Sequence, residues 1–347
     1  MPTTHAITPQ EALQRVIEHR EIFHDEMLHI MRLIMGGEMS PALMAAFISA
    51  LRVKKETIGE ITAAAQVMRE FSNKVHVTDT QHMVDIVGTG GDQLHTVNVS
   101  TMAAFVVAGA GVPVAKHGNR AASSSVGSAD VLESLGVKLD LPPAVISDCL
   151  HDASMAFIFA PSYHHALGYI APIRRALAFR TVFNVLGPLA NPAGVRRGVV
   201  GVAPRRLLEP MSQVLAARGA ESMALVHGDD GLDELSLGGP STVFVVTPNG
   251  IEQRHVDAPA ELGRHADVAA LRGGGAADNA DVVRRFLDGE AGPVHDAVCA
   301  NAALALQMAG RASSLRDGFE LAEELVTSGA ASTVLDRLVR TSNQPTA

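Results

Sequence analysis

The sequence predicts an α/β protein: a small all-helical N-terminal domain over residues 1–75, then a larger domain with a mostly parallel central sheet. Three observations predict it. The first stretch repeats a helix-start signature ahead of apolar runs. After Val77, short β-branched runs alternate with helical patterns. The chain is also longer, at 347 residues, than a single core usually grows.

Thr8, Pro9 and Glu11 form the first signature, a Thr-x-x-Glu box in which hydroxyl and carboxylate satisfy free amide groups while proline suits the first turn. Ser40-Pro41 repeats the device before ALMAAFISALRV, and Thr57 with Glu60 repeats the box before a segment ending near Phe71. VDIV, VPVA and GVVGV then read as strands between apolar helices, the texture of a parallel sheet covered by helices. SADVLESLG reads as a helix closed by Gly136, PPAVISDCLHDA as one opened by prolines, and AFIFAP as a strand entering a loop. HHALGYIAPIRRALAF is helical in spacing, with an ambiguous start at Pro172. TVFVVTPNGIEQRHV reads as two strands joined through Asn-Gly, and the tail is helical from Val294.

A formal charge of -9 excludes broad capture of nucleic acid or an anionic membrane, which needs a basic field. Cys149 and Cys299 make neither a metal spacing nor a disulfide framework, which fits a reducing cytoplasm. No run is long and apolar enough to span a bilayer, and the N-terminus lacks the core of a secretion signal.

The chemistry concentrates in four segments. DIVGTGGDQLHTVNVST brings a strand through Gly88, Gly90 and Gly91 to a helix start, where bare amide groups and the helix dipole favour an anion. Asn98, Ser100 and Thr101 can cap that helix or hold a ligand and its metal. Alone, GTGGD reads equally as a glycine turn with a cap. AKHGNRAASSSVGSADVLESLG leaves its strand at Ala115 and presents Lys116, His117, Asn119 and Arg120, with Ser123, Ser124 and Ser128 ahead of the next helix, a set of phosphate partners. HGDDGLDELSL sets Asp233 beside Glu234, hard oxygen ligands suited to Mg²⁺ once phosphate sites are near; Asp229 and Asp230 are weaker candidates. In the fourth segment Arg174 and Arg175 point in different directions on a helix, so only one can clamp a carboxylate in a given pocket. His164 and His165 read as surface or packed histidines. Together the pieces suggest a Mg²⁺-dependent group transfer on a diphosphorylated substrate, helped by electrostatics.

GTGGD, NVST, KHGNR, GSADVLE, RTVFNVLGPLANPAG and DGLDELSL occur here in this order, and with them the chain resembles the anthranilate phosphoribosyltransferase family from about residue 10 to about 340. The resemblance implies a nucleoside phosphorylase/phosphoribosyltransferase-like fold, with the helical domain completed by helices around 165–195 and the α/β domain formed by 76–164 and 196–345. It implies a lone transferase domain with no amidotransferase segment before it. It implies transfer of the phosphoribosyl group of 5-phosphoribosyl 1-diphosphate to the amine of anthranilate, in cytoplasmic tryptophan biosynthesis.

By motif position, Gly88, Gly91, Asp92, Thr96, Asn98, Val99, Ser100 and Thr101 would contact the donor. So would Lys116, His117, Gly118, Asn119, Arg120, Ala121, Ala122, Ser123, Ser124 and Ser128. Gly88, Asn119, Pro161 and Arg174 would meet anthranilate, with His117 and Pro161 lining its path. Lys116, His117, Asn119 and Arg174 form the expected catalytic set. Two Mg²⁺ per monomer would be held by Ser100, Asp233 and Glu234, and closure of the helical domain would bring acceptor to donor. The resemblance implies a homodimer through the helical domain and leaves association with anthranilate synthase open. Gln93, Ser125-Val126 and His165 depart from the commoner Gly, Lys-Ser and Pro. A pyrimidine nucleoside phosphorylase would need Lys-His-Ser-Thr-Gly-Gly, absent here, and a nucleic-acid-binding, non-catalytic paralogue would be basic.

Overall fold

The computed structural model describes residues 6–77, 82–121 and 126–345. They form two compact units, one of residues 6–73 and 163–192, the other of 74–162 and 193–345. In the first, α1 (Pro9–Ile17), α2 (His24–Met35), α3 (Pro41–Lys54) and α4 (Ile58–Glu70) pack as a bundle, α1 on α3 and α2 on α4. The Thr8 and Thr57 hydroxyls accept from the Glu11 and Glu60 amides, the reciprocal boxes expected. α2 starts without a hydroxyl cap, the Glu26 carboxylate accepting instead from Phe23 N–H. Phe47, Ile30, Ile34 and Leu51 are sealed from water, each contributing about 1.5–3 kcal/mol. Glu60, also fully buried, accepts from Ile22 N–H and from Lys54 Nζ at 2.8 Å.

The second unit opens with β1 (Val84–Gly88), α5 (Val99–Gly109), β2 (Val114–Gly118), α6 (Ser128–Ser134), α7 (Pro143–Ala153), β3 (Met155–Phe159) and a single turn, α8 (Ala160–Tyr163). α5 is buried along almost its whole length, the signature of a central helix. α6 ends as expected: Gly136 takes φ +94° and its N–H donates to Glu133 O, a left-handed stop that glycine adopts at no steric cost.

The chain then returns to the helical unit. A 3₁₀ turn over His165–Gly168 precedes α9 (Ala171–Leu177), with Pro172 in its first turn, and α10 (Phe183–Leu186) follows. The one long helix suggested by HHALGYIAPIRRALAF is therefore divided before Pro172, whose ring cannot follow a preceding helical turn. α9 packs on α3 and α10 on α4.

Back in the second unit come β4 (Arg197–Gly201), α11 (Leu208–Ala217), β5 (Ser222–Gly228), β6 (Ser241–Thr247) and β7 (Gly250–Val256). The helices α12 (Ala258–Leu262), α13 (Ala276–Leu287), α14 (Pro293–Met308), α15 (Leu315–Thr327) and α16 (Ala330–Ser342) complete it. The seven strands run β3-β2-β1-β4-β5-β6-β7, the first five parallel and the last two antiparallel. The hairpin differs from the expectation: Thr247 pairs with Gly250, so Pro248-Asn249 form the loop. Pro248 explains the shift, since its fixed negative φ suits the first corner of an ordinary turn and it has no N–H to offer a ladder.

Candidate active site

The sheet order reverses at β1: β2 and β3 lie on one side, β4 and β5 on the other. Such a reversal leaves a crevice beyond the strand C-termini. β1 and β4 end there on facing glycines, Gly88 opposite Gly201. Thr89 N–H donates to Gly201 O at 2.8 Å, and Ala203 N–H to Thr89 Oγ1 at 3.0 Å. The loop turns on Gly90 and Gly91, at φ +61° and +79°, while Gln93 and His95 take φ +65° and +55°.

Asp233, which follows β5, meets this loop directly: Gly90 N–H donates to its Oδ2 at 3.0 Å. A Cβ on Gly88 would lie 2.7 Å from that oxygen, and one on Gly201 would lie 1.8 Å from Asp233 O. The facing glycines thus make the room that Asp233 occupies. Gly201 is not among the residues the sequence singles out, although its place at the end of GVVGV is the available signal. Asp92 turns the loop further, its Oδ1 accepting from Leu94 N–H at 3.2 Å.

Beside Asp233, the Glu234 carboxyl is pushed up to about 8, first by desolvation and then by the Asp233 charge, against the opposing pull of Lys116. The Ser100 main chain hydrogen-bonds to it. β2 runs on through Lys116 and His117 to Gly118, past the expected end at Ala115, so Lys116 and His117 are buried strand residues rather than loop residues. A parallel strand is covered on both faces, and Lys116 is accommodated because its Nζ donates to Ile86 O and to Ser100 Oγ at 3.2 Å. Desolvation holds its pKa below the ordinary lysine range, while Asp85 and Glu234 oppose that. His117 N–H donates to Asp85 Oδ1 at 3.2 Å. His117 is 3% exposed.

Asn98 precedes α5, and Val99, Ser100 and Thr101 form its first turn. Thr96 bridges to Arg272. Beyond half-buried Gly118, exposed Asn119 supplies a carbonyl to Ser128 Oγ and Ala129 N–H at the start of α6. Ala121 N–H donates to Asp130 Oδ2. The Arg120 guanidinium is bound to Asp130 and Glu133, at 2.9 and 2.8 Å. Ala122, Ser123, Ser124 and Ser125 lie outside the described residues. Pro161, on α8, is exposed. Asp229 faces Arg205 at 3.4 Å, and Asp230 accepts from Leu232 N–H at 3.3 Å and from Ser236 Oγ.

In the helical unit, α9 separates the paired arginines. Arg174 is half-buried with its guanidinium 5.7 Å from the Phe183 ring centroid, and Arg175 is exposed. Burial lowers the pKa of Arg174. No carboxylate among the described residues forms an ion pair with Arg174 within 4 Å, so the side chain can receive one from a ligand.

Residues 80–332 match the a/b domain of the glycosyl transferase family, and residues 10–72 its helical bundle domain. An anthranilate phosphoribosyltransferase of Acidovorax sp. (strain JS42) is 52% identical, covering 96% of this chain and 97% of that protein. The crystal structure of the Thermus thermophilus anthranilate phosphoribosyltransferase superposes with a TM-score of 0.90 at 42% identity, covering 96% and 99% of the two chains. The Saccharomyces cerevisiae enzyme in complex with PRPP and Mg gives a TM-score of 0.84 at 27% identity, covering 96% and 93%. With both domains matched and more than half of the residues shared over nearly the full length, the chain belongs to the anthranilate phosphoribosyltransferase family.

Proposed function

We propose that this chain transfers the phosphoribosyl group of 5-phosphoribosyl 1-diphosphate to the amine of anthranilate, giving N-(5-phosphoribosyl)anthranilate and pyrophosphate, in cytoplasmic tryptophan biosynthesis. The observation that supports it best is the 3.0 Å contact between Gly90 N–H and Asp233 Oδ2, which brings a bare glycine loop and an acidic pair to one end of the sheet. Gly88, Gly91, Asp92 and Thr96, with Asn98 to Thr101, form the diphosphate cradle. Asn119, Ala121 and Ser128 hold the ribose phosphate, with Gly118 allowing close approach. Ser100, Asp233 and Glu234 offer hard oxygen donors, and a carboxyl driven up to about 8 is one that a dication would restore to its charged form; they fit two Mg²⁺ ions. When bound, Mg²⁺ neutralises charge that grows on the departing pyrophosphate.

The amine of anthranilate is neutral near pH 7, so it attacks the anomeric carbon with little base assistance as the bond to pyrophosphate breaks. Fixed amide groups and the N-terminus of α5 stabilise the developing charge without reorganising. Lys116 acts on this site through Ser100. For the acceptor, Arg174 is the proposed partner of the anthranilate carboxylate, and Gly88, Asn119 and Pro161 are its proposed contacts in the second unit, where His117 N–H ties β2 to Asp85. Exposed Ile17, Phe23 and Val53 on the helical unit support a homodimer formed through it. Loss of anthranilate fluorescence on adding protein, donor and Mg²⁺, each omitted in turn, tests the reading. Activity without the donor, or none with all components present, contradicts it.

A further inference from the structure

The glycines at 273–275 and helix α13 have no part in the sequence reading, yet they hold the chain between β1 and α5. Val97 N–H donates to Leu271 O and Gly273 N–H to His95 O, both at 2.8 Å, around the antiparallel Thr96–Arg272 bridge. Asn279 on α13 is 2% exposed. Its Oδ1 accepts from Gly274 N–H at 2.8 Å, and its Nδ2 donates to Asn98 Oδ1 at 3.1 Å. Asn98 Nδ2 reaches Val126 O only at 3.5 Å.

A carboxamide has one accepting end and one donating end. Engaging the oxygen of Asn98 leaves its nitrogen as the end an anion can use, whereas the opposite rotamer would present an oxygen to phosphate and repel it. We propose that Asn279 is a positioning residue of the donor site: by donating to Asn98 Oδ1 it keeps the Asn98 amide nitrogen available to the diphosphate. This rests on the reading above that Asn98 contacts the donor. A buried side chain with both ends engaged is also rigid, so the orientation is set before the ligand arrives.

The variant Asn279→Asp separates orienting from holding, because it keeps the shape and the acceptor for Gly274 N–H, replaces the donor to Asn98 by an oxygen, and adds a charge whose direct effect the cycle below isolates. The test is a kinetic cycle over Asn279→Asp, Asn98→Ala and the double variant, with melting temperatures measured alongside. The expected result is a rise of about tenfold or more in donor KM for Asn279→Asp, the size of a lost hydrogen bond to a charged group. The anthranilate KM should stay unchanged, and the rise should vanish when Asn98 is already Ala. Equal rises in both backgrounds would mean that the new charge acts directly on the donor, and no rise would mean that Asn279 only supports the loop; either overturns the proposal alone. An unchanged donor KM for Asn98→Ala itself removes Asn98 from the donor site, and the proposal falls with it.

Discussion

Arg174 and Arg175 are sequence neighbours that α9 sends apart, one half-buried over Phe183 and the other in solvent. Arg174→Ala should therefore raise the anthranilate KM about thirtyfold or more, the scale of truncating a desolvated charge pair, while Arg175→Ala stays near wild type; equal effects contradict the assignment. Gly88→Ala would place a Cβ 2.7 Å from Asp233 Oδ2 and should weaken Mg²⁺ binding in titration while the fold persists. Glu234 gives a pH dependence of fixed sign. Its carboxyl sits at about 8 against an ordinary 4.5, so the metal-free fold keeps a proton that the unfolded chain releases. That contribution to stability is full below pH 4.5 and is lost as pH rises through about 8. Mg²⁺ needs the charged form, so the rise in melting temperature on adding Mg²⁺ should be larger at about pH 9 than at about pH 6.5, on either side of that value, and Glu234→Gln should flatten the difference. Residue types and order are legible in the sequence. Lys116 reads there as a loop cation because nothing in KHGNR signals where the strand stops; burial on both faces decides that.

At the level of elements, caps are the most readable feature. Thr8, Ser40 and Thr57 start α1, α3 and α4 as their hydroxyls predict. α2 gives no such signal, because Phe23 precedes it and the cap comes from Glu26. α11 and α13 start without a hydroxyl cap as well: α11 follows a 3₁₀ turn, and α13 is preceded by Gly275, whose N–H donates to the Asp278 carboxylate at 2.8 Å. The Asn-Gly of the hairpin misleads by one residue because Pro248 dictates the corner. In the helical bundle, Glu60 is a buried charge answered by Lys54. Lys54→Met should cost about 3 kcal/mol in urea unfolding, since it leaves that carboxylate uncompensated; a loss under about 1 kcal/mol would mean the buried amides of the capping box suffice.

Across the whole molecule, the parallel α/β character follows from alternating runs, but the strand order does not. Pairing Gly88 with Gly201 requires strands more than 100 residues apart to meet, and no local pattern encodes that distance. That pairing is nevertheless what sets the glycine loop beside Asp233. β7, exposed along most of its length, lies at the sheet edge with Glu252, Arg254 and His255, charges that discourage edge-to-edge pairing. In the proposed reaction one diphosphate is held by the loop after β1 together with the Asp233–Glu234 pair. Calorimetric titration of 5-phosphoribosyl 1-diphosphate, with and without Mg²⁺, into wild type and into the Asp233→Asn/Glu234→Gln variant tests this most directly. Mg²⁺ should enhance binding in the wild type and give none of that enhancement in a variant that melts normally; an equal Mg²⁺ enhancement in both would separate the acidic pair from the diphosphate site.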